Sequence, residues 1–209
     1  MIPVAPATWD RLGVSRESLT RLERLVEVFL RWQAHMNLVA PSTIADIWNR
    51  HILDSAQILP LLPPRLKAIA DLGSGGGFPA LVLAAIQPAR LHMFEANGKK
   101  AAFLQDALRQ MKVEGVVHQE RLIQRAAPHN MPEVQLVTAR AFAPLDELLG
   151  FAEPFFLAGA MGLFHKGQDV DAELTRAAKS WKISAKKHSS ATDSQAVLLE
   201  VKEIAHVDR

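Results

Sequence analysis

Asp71-Leu72-Gly73-Ser74-Gly75-Gly76-Gly77, with Phe78 and Pro79 directly behind it, is the stretch that decides the fold. It follows a short apolar run, residues 68–72, and precedes a helical pattern that starts at Pro79. Proline suits the first turn of a helix, where the N–H it lacks would have no partner. The reading is strand, glycine turn, helix. The same alternation continues downstream, with a second strand at residues 91–95 and a helix over 99–111. A third strand is expected at 116–120 and a fourth at 134–139, with a helix starting near Leu145. The fifth strand is 161–165, followed by a helix over 170–179. Two weaker strand candidates, 181–186 and 196–201, close the series. Strands alternating with helices predict an α/β fold with a mostly parallel, seven-stranded sheet covered on both faces.

Upstream of the turn the pattern is helical. Ser15 is a candidate N-cap, and Leu22, Leu25, Val26, Phe29, Trp32 and Met36 recur on one helical face. Pro41 breaks that helix, because proline disfavours α geometry in the residue before it. Ser42 is placed to cap a second helix, with Ile44, Ile47, Trp48, His51, Ile52 and Ile58 inward, which stops near Pro60. Pro63-Pro64 marks a boundary. The expected organisation is an N-terminal helical subdomain, residues 1–64, and a nucleotide-site domain, residues 65–209.

Composition narrows the function classes. The 209 residues are 49% hydrophobic and 22% charged, ordinary values for a water-soluble domain. No apolar run reaches the roughly 18 residues of a membrane helix, and the N-terminus lacks a secretory signal, so a cytoplasmic location without membrane contact is expected. With no cysteine, disulfides, thiolate zinc sites and cysteine nucleophiles are excluded. The eight histidines show no metal-ligand spacing, and no metal is expected. The formal charge of +2 does not by itself call for nucleic acid. Its distribution is uneven. Arg11, Arg16, Arg21, Arg24 and Arg31 crowd the first helix, and Lys179, Lys182, Lys186, Lys187 and His188 crowd a late segment. Solvated faces and an RNA-facing surface account for these equally well.

Ligands of open α/β sheets bind outside the carboxyl ends of the strands, and the glycine turn sits at the first such end. Glycine there lets a ligand approach the backbone closely. A dinucleotide fingerprint, G-x-G-x-x-G counted from Gly73, would need a small residue where Phe78 stands. A Walker loop would need Gly-Lys-Ser/Thr at its end, and none follows. The pattern D-x-G-x-G-x-G resembles instead the cofactor loop of class I S-adenosylmethionine (SAM)-dependent methyltransferases, which have a Rossmann-like fold. Asp71 would then act near the charged amino-acid end of S-adenosyl-L-methionine, above Gly73, Gly75 and Gly77. Glu95, 22 residues after Gly73 at the end of strand two, is placed to accept both ribose hydroxyl protons.

Further segments resemble one family, the bacterial 16S ribosomal RNA guanine-N7 methyltransferases, also called glucose-inhibited division protein B. They are Asn37-Leu38, Arg50-His51-Ile52-Leu53-Asp54-Ser55, the glycine loop through Pro79, Glu95 with Lys99-Lys100 and Phe103-Leu104, residues 138–143, and His165-Lys166-Gly167. They lie in the family's order over about residues 20–170. The resemblance implies SAM contacts at Gly73, Phe78, Arg140 and the two residues after Arg121. The family's usual Arg-Ala-Glu is Arg121-Leu122-Ile123 here, so only backbone contacts carry over to Leu122 and Ile123. Gln135 likewise stands where an aspartate is usual. The resemblance also suggests that Asn37, Arg50, His51 and Asp54 close over the cofactor and shape the guanine pocket. An Arg50–Asp54 ion pair within one helix, and a buried structural His51, are the plainer accounts.

The implied reaction transfers a methyl group from SAM to N7 of a guanine in 16S ribosomal RNA, free or within the 30S subunit, by a monomeric enzyme. Guanine N7 carries an in-plane lone pair, so no proton leaves before attack, and positioning matters more than a general base. No catalytic base is assigned. Arg140 and Lys166 are the candidate positioning residues, Arg140 toward the cofactor carboxylate or guanine O6 and Lys166 toward RNA phosphate. A structural ion pair and a pocket edge are their plainer roles. Phe78 and Phe142 are candidates for stacking a splayed base, with core packing as the alternative. Two competing readings stay open: a small-molecule SAM methyltransferase, and a non-catalytic RNA-binding or ribosome assembly factor.

Overall fold

The computed structural model describes residues 4–207. Seven strands form one sheet: β1 (Ala68–Leu72), β2 (Arg90–Phe94), β3 (Gly115–His118), β4 (Leu136–Arg140), β5 (Met161–Lys166), β6 (Trp181–Ser189) and β7 (Val197–His206). Their order is β3-β2-β1-β4-β5-β7-β6. The first five strands run parallel, and β7 pairs antiparallel with both β5 and β6. The strand order reverses between β1 and β4, so their carboxyl ends open a crevice there. This is the mostly parallel seven-stranded α/β architecture that the alternating pattern predicts.

Successive side chains of a strand point to opposite faces. In β1, Ile69 joins the apolar layer on one face, while Ala68, Ala70 and Leu72 join the layer on the other. The first layer is built with α2 (Arg16–Gln33), α4 (Ala80–Ile86) and α5 (Gly98–Met111), and the second with α6 (Leu145–Leu157) and α7 (Val170–Ala177). Helix α2 follows α1 (Pro6–Arg11) and starts at Ser15, whose hydroxyl accepts from Ser18 N at 3.1 Å. It buries Leu22, Leu25, Val26 and Phe29 in the same apolar cluster that holds Leu81, Met93 and Leu104. The N-terminal helices and the sheet thus share one core.

Residues 41–61 depart from the expected single helix. They form a 3₁₀ turn (Pro41–Asp46), a π-helical turn (Trp48–Leu53), a short helix α3 (Asp54–Ala56) and a second 3₁₀ turn (Leu59–Leu61). Proline at each end restricts the regular ladder. The widened turn at Trp48–Leu53 is of a kind often found at functional sites. Strand β4 begins two residues later than expected, because Gln135 uses its side chain as well as its backbone. Its Oε1 accepts from Lys67 N at 2.9 Å and Ala68 N at 3.0 Å, clamping the start of β1. Strand β7 runs to His206, five residues past its expected end, because β6 supplies a partner throughout. Lysines 182, 186 and 187 lie on β6, an edge strand, where charge discourages pairing with another chain.

Candidate functional site

In register, β1 and β4 place Asp71 beside Thr138. Thr138 Oγ1 donates to Asp71 Oδ1 at 2.7 Å, while Asp71 Oδ2 is buried with no hydrogen-bond partner. Asp71 is 1% exposed. Burial pushes its carboxyl up to about 6, against the Thr138 hydrogen bond that pulls it down. An ionised carboxylate there is costly unless a cation offsets it. Above it, Gly73 and Gly75 both take left-handed φ values, 65° and 51°. A side chain at Gly73 would collide with the Phe142 ring at 2.0 Å, whereas at Gly75 it would meet only Gly73 O at 3.6 Å. The floor is therefore open over Gly75.

Glu95 stands just past β2. Its Oε2 accepts from Gly75 N at 2.8 Å and its Oε1 from Asn97 N at 2.7 Å. These bonds aim the carboxylate and leave each oxygen a lone pair for a ligand hydroxyl. Loop, Glu95, Phe78, Leu122 and Arg140 line a cavity of about 680 Å³, together with the Phe94 and Phe151 rings. Phe78 is also a core residue, packed on Phe29 and stacked on His51 with centroids 4.9 Å apart.

At the end of β4 the chain reverses through Ala141 in the left-handed region (φ 50°). Arg140, Ala141 and Phe142 consequently border two cavities, the first and a second of about 570 Å³. Arg140 Nη1 donates to Asp54 Oδ2 at 3.0 Å, and its Nη2 meets His51 Nδ1. Burial, then the facing Arg140, lowers the His51 pKa to about 4, so the ring is neutral near pH 7. Its Nδ1 must then accept, and its Nε2–H donates to Thr43 Oγ1 at 2.8 Å. The Thr43 hydroxyl donates onward to Ala40 O.

Asp54 is tied further. Its Oδ1 accepts from Thr192 Oγ1 at 2.6 Å and Gln57 Nε2 at 2.8 Å, and its backbone oxygen meets His165 Nε2 at 2.9 Å. Burial lowers the His165 pKa, which makes it a neutral donor here. Arg50 pairs with Asp193 at 3.1 Å rather than with Asp54 four residues on. The residue 50–57 segment is thereby bound to β4 and to the β6–β7 loop, around the second cavity.

The structure brings Gly73, Gly75, Phe78, Glu95, Leu122, His51 and Arg140 to the first cavity, and Arg50, Asp54, Arg140 and Lys166 to the second. Asp71 and Gly77 lie buried beneath. Asn37 is exposed and outside the lining of both, although Leu38, Val39 and Ala40 line the first. Ile123 is 67% exposed and lines neither. Lys166 is held by Ala143 O at 3.1 Å and Glu173 at 2.6 Å, a strut between β5 and α7. Sequence reasoning missed Gln57, Thr192 and Asp193, which no motif marks; Thr192 and Asp193 reach the site only through the fold, while Gln57 lies three residues after Asp54. Thr138 could have been found from the strand register opposite Asp71.

The residues fit SAM on observations independent of any motif: an open floor at Gly75, a ribose-type acceptor at Glu95, aromatic walls and an unpartnered buried carboxylate oxygen at Asp71. Among the described residues no group of three or more metal-capable side chains occurs, and no helix is long and apolar enough to cross a membrane.

Comparison with known proteins points the same way. Residues 18–201 match the family described as rRNA small subunit methyltransferase G. The chain is 48% identical over 191 residues to ribosomal RNA small subunit methyltransferase G of Rhodospirillum rubrum, covering 91% of this chain and 93% of that one. It is 50% identical over 192 residues to the same-named protein of Bradyrhizobium sp. (strain ORS 278), covering 90% and 86%. Among solved structures, a SAM-dependent methyltransferase from Aquifex aeolicus aligns with TM-score 0.56 at 13% identity, covering 78% of this chain and 94% of that one. The ribosomal protein L11 methylase of Lactobacillus delbrueckii subsp. bulgaricus gives 0.56 at 10% identity, covering 74% and 79%. At such identities the likeness speaks for the fold alone.

Proposed function

The chain belongs to the rRNA small subunit methyltransferase G family, and from that premise we propose that it methylates N7 of a guanine in 16S ribosomal RNA. The observation that carries this reading is the position of Arg140. It borders both the glycine-floored cavity and the second, polar cavity, and Asp54 and His51 fix its guanidinium. When bound, SAM supplies a sulfonium methyl group. Gly73, Gly75 and Phe78 would support it, Glu95 would take the ribose hydroxyls, and Asp71 would offset the charged amino-acid end from below. Backbone at Leu122 would meet the base.

The second cavity is the proposed guanine site. Arg140 borders it and would offer a remaining N–H to guanine O6, next to N7, and Arg50 and Asp54 border it too. N7 attack needs alignment and no proton removal. The histidines agree with that requirement, since His51 Nδ1 is committed to Arg140 and His165 Nε2–H to Asp54 O. Lys166 would keep the cavity's shape through Glu173 rather than touch phosphate. Asn37 and Ile123 would contribute only from outside the lining. A monomer in the cytoplasm, acting on naked RNA or on the 30S subunit, completes the proposal.

The test is transfer from methyl-labelled SAM to 16S RNA, naked and in 30S subunits, across a salt titration. Transfer that depends on RNA and weakens steeply with salt supports the reading. Turnover without RNA, or none with either form, contradicts it.

A further inference from the structure

Among the described residues, each of the three carboxylates that line the second cavity is claimed by a cation on the same lining. Arg140 pairs with Asp54, Lys166 with Glu173 and Arg50 with Asp193. Arg176 is the fourth cation there, and no carboxylate is left for it. Among the described residues its guanidinium has no hydrogen bond, ion pair or ring contact. Resting on the guanine-N7 reading, we propose that Arg176, together with Arg50, grips the phosphodiester of the guanosine whose base enters the second cavity.

Helix α7 explains why Arg176 stays unpaired. Helical side chains lean toward the N-terminus of their helix, so residue 176 lies over residue 173, and a Glu173–Arg176 pair is the ordinary outcome. Glu173 is engaged elsewhere. Its Oε2 accepts from Lys166 Nζ at 2.6 Å and from Leu145 N, at the start of α6, at 2.9 Å. The same lean carries the exposed Arg176, in the last turn of α7, back toward the start of that helix. There the carboxyl end of β5 supplies Lys166 and Gly167 to the cavity wall.

Arg50 has donors to spare. Only its Nη1 meets Asp193, at 3.1 Å, and its side chain is 47% exposed, whereas a guanidinium carries five N–H groups. A surface pair of this kind contributes little, so sharing it with a second anion costs little. The ligand these two arginines suit is an anion attached to a neutral base. A phosphodiester matches the planar fork of a guanidinium through two oxygens at once, and guanine itself brings no negative charge. The cavity, about 570 Å³, has room beyond a single base.

The test is methyl transfer from SAM to small subunits lacking the modification, with kcat and KM measured across a salt titration at fixed magnesium. Arg176→Gln should raise KM about tenfold at low salt, the effect of a hydrogen bond between charged groups, and keep kcat within about twofold. Its slope of log kcat/KM against log salt should be shallower by about 0.7–0.9, the share of one phosphate contact. Arg176→Lys keeps the charge and loses the fork, so it should keep the wild-type slope with a smaller rise in KM. Calorimetric affinity for S-adenosylhomocysteine should be equal in all three proteins, because Arg176 does not line the first cavity. A wild-type KM and slope in Arg176→Gln overturns the proposal and makes Arg176 a solvated surface residue. A matching fall in S-adenosylhomocysteine affinity overturns it too, since the effect then lies in the fold. If wild-type protein methylates no RNA, the guanine-N7 reading falls and this proposal with it.

Discussion

Burying a guanidinium costs several kcal/mol unless partners offset it, and Arg140 keeps its charge by pairing with Asp54 and donating to a neutral histidine. That arrangement fixes its direction and makes its replacement costly in a specific way. Arg140→Ala should lower kcat/KM by about a hundredfold, as expected when a positioned group is lost, and should leave the partly buried Asp54 without its cation. Asp54→Asn keeps the size and removes the charge, so its loss of activity should be smaller. Steady-state kinetics on both variants checks the order. At the floor, a methyl group at Gly75 meets a left-handed backbone and fills the open space. Gly75→Ala should cost roughly 1–2 kcal/mol of stability by chemical denaturation and lower SAM affinity far more than that strain implies. These residues were legible from sequence because glycine, aspartate and glutamate at strand ends carry their chemistry in their identity. Thr192 was not, since its role depends on meeting Asp54 across the fold, and Gln57, which bonds Asp54 locally, joins the β6–β7 loop only through contacts of Ser190, Ala191 and Thr192.

Elements explain what the residue types do not. The strands were legible because each is an apolar run between turn residues. The segment over 41–61 was misread as one helix, since its apolar spacing fits several helical geometries and its prolines decide between them locally. The docking of residues 119–126 onto α6 was illegible, because a proline inside a helix reads as a kink and not as a carbonyl released for another loop. That docking is open to test. Pro154→Ala supplies an N–H that competes with Arg125 for Gly150 O. Helix propensity improves, so thermal stability should hold or rise, while SAM affinity falls about fivefold, the worth of one hydrogen bond. Calorimetry beside a melting curve would show both changes, and an unchanged affinity would refute the coupling.

At the scale of the whole molecule, titration links the site to stability. His51 and His92 both have pKa values lowered to about 4 from 6.5, mainly by burial. Between pH 4 and 6.5 the unfolded chain binds these protons and the folded chain does not, so their contribution to stability rises with pH and is lost on acidification. Asp71 has the opposite sign. Its carboxyl, raised to about 6, holds a proton in the folded state that the unfolded state has released, so stability falls as pH rises from about 4 to 6. Asp71→Asn removes this opposing slope and should steepen the rise of unfolding free energy between pH 4 and 6.5. It should also weaken SAM binding at pH 7.5. Denaturant titrations at several pH values would measure the first effect, and a slope equal to the wild type would contradict the burial of an ionisable Asp71.

The same whole-molecule view sets the decisive measurement, because two cavities joined at Arg140 matter only if a methyl group crosses between them to one atom. 7-Methylguanine makes an RNA chain cleavable by borohydride reduction and aniline. Small subunits lacking the modification, incubated with this protein and SAM, should become cleavable at one guanine of 16S RNA, and about a hundredfold more slowly with Arg140→Ala protein. Methyl transfer that leaves the RNA uncleaved, and so lies on another atom, would contradict the account.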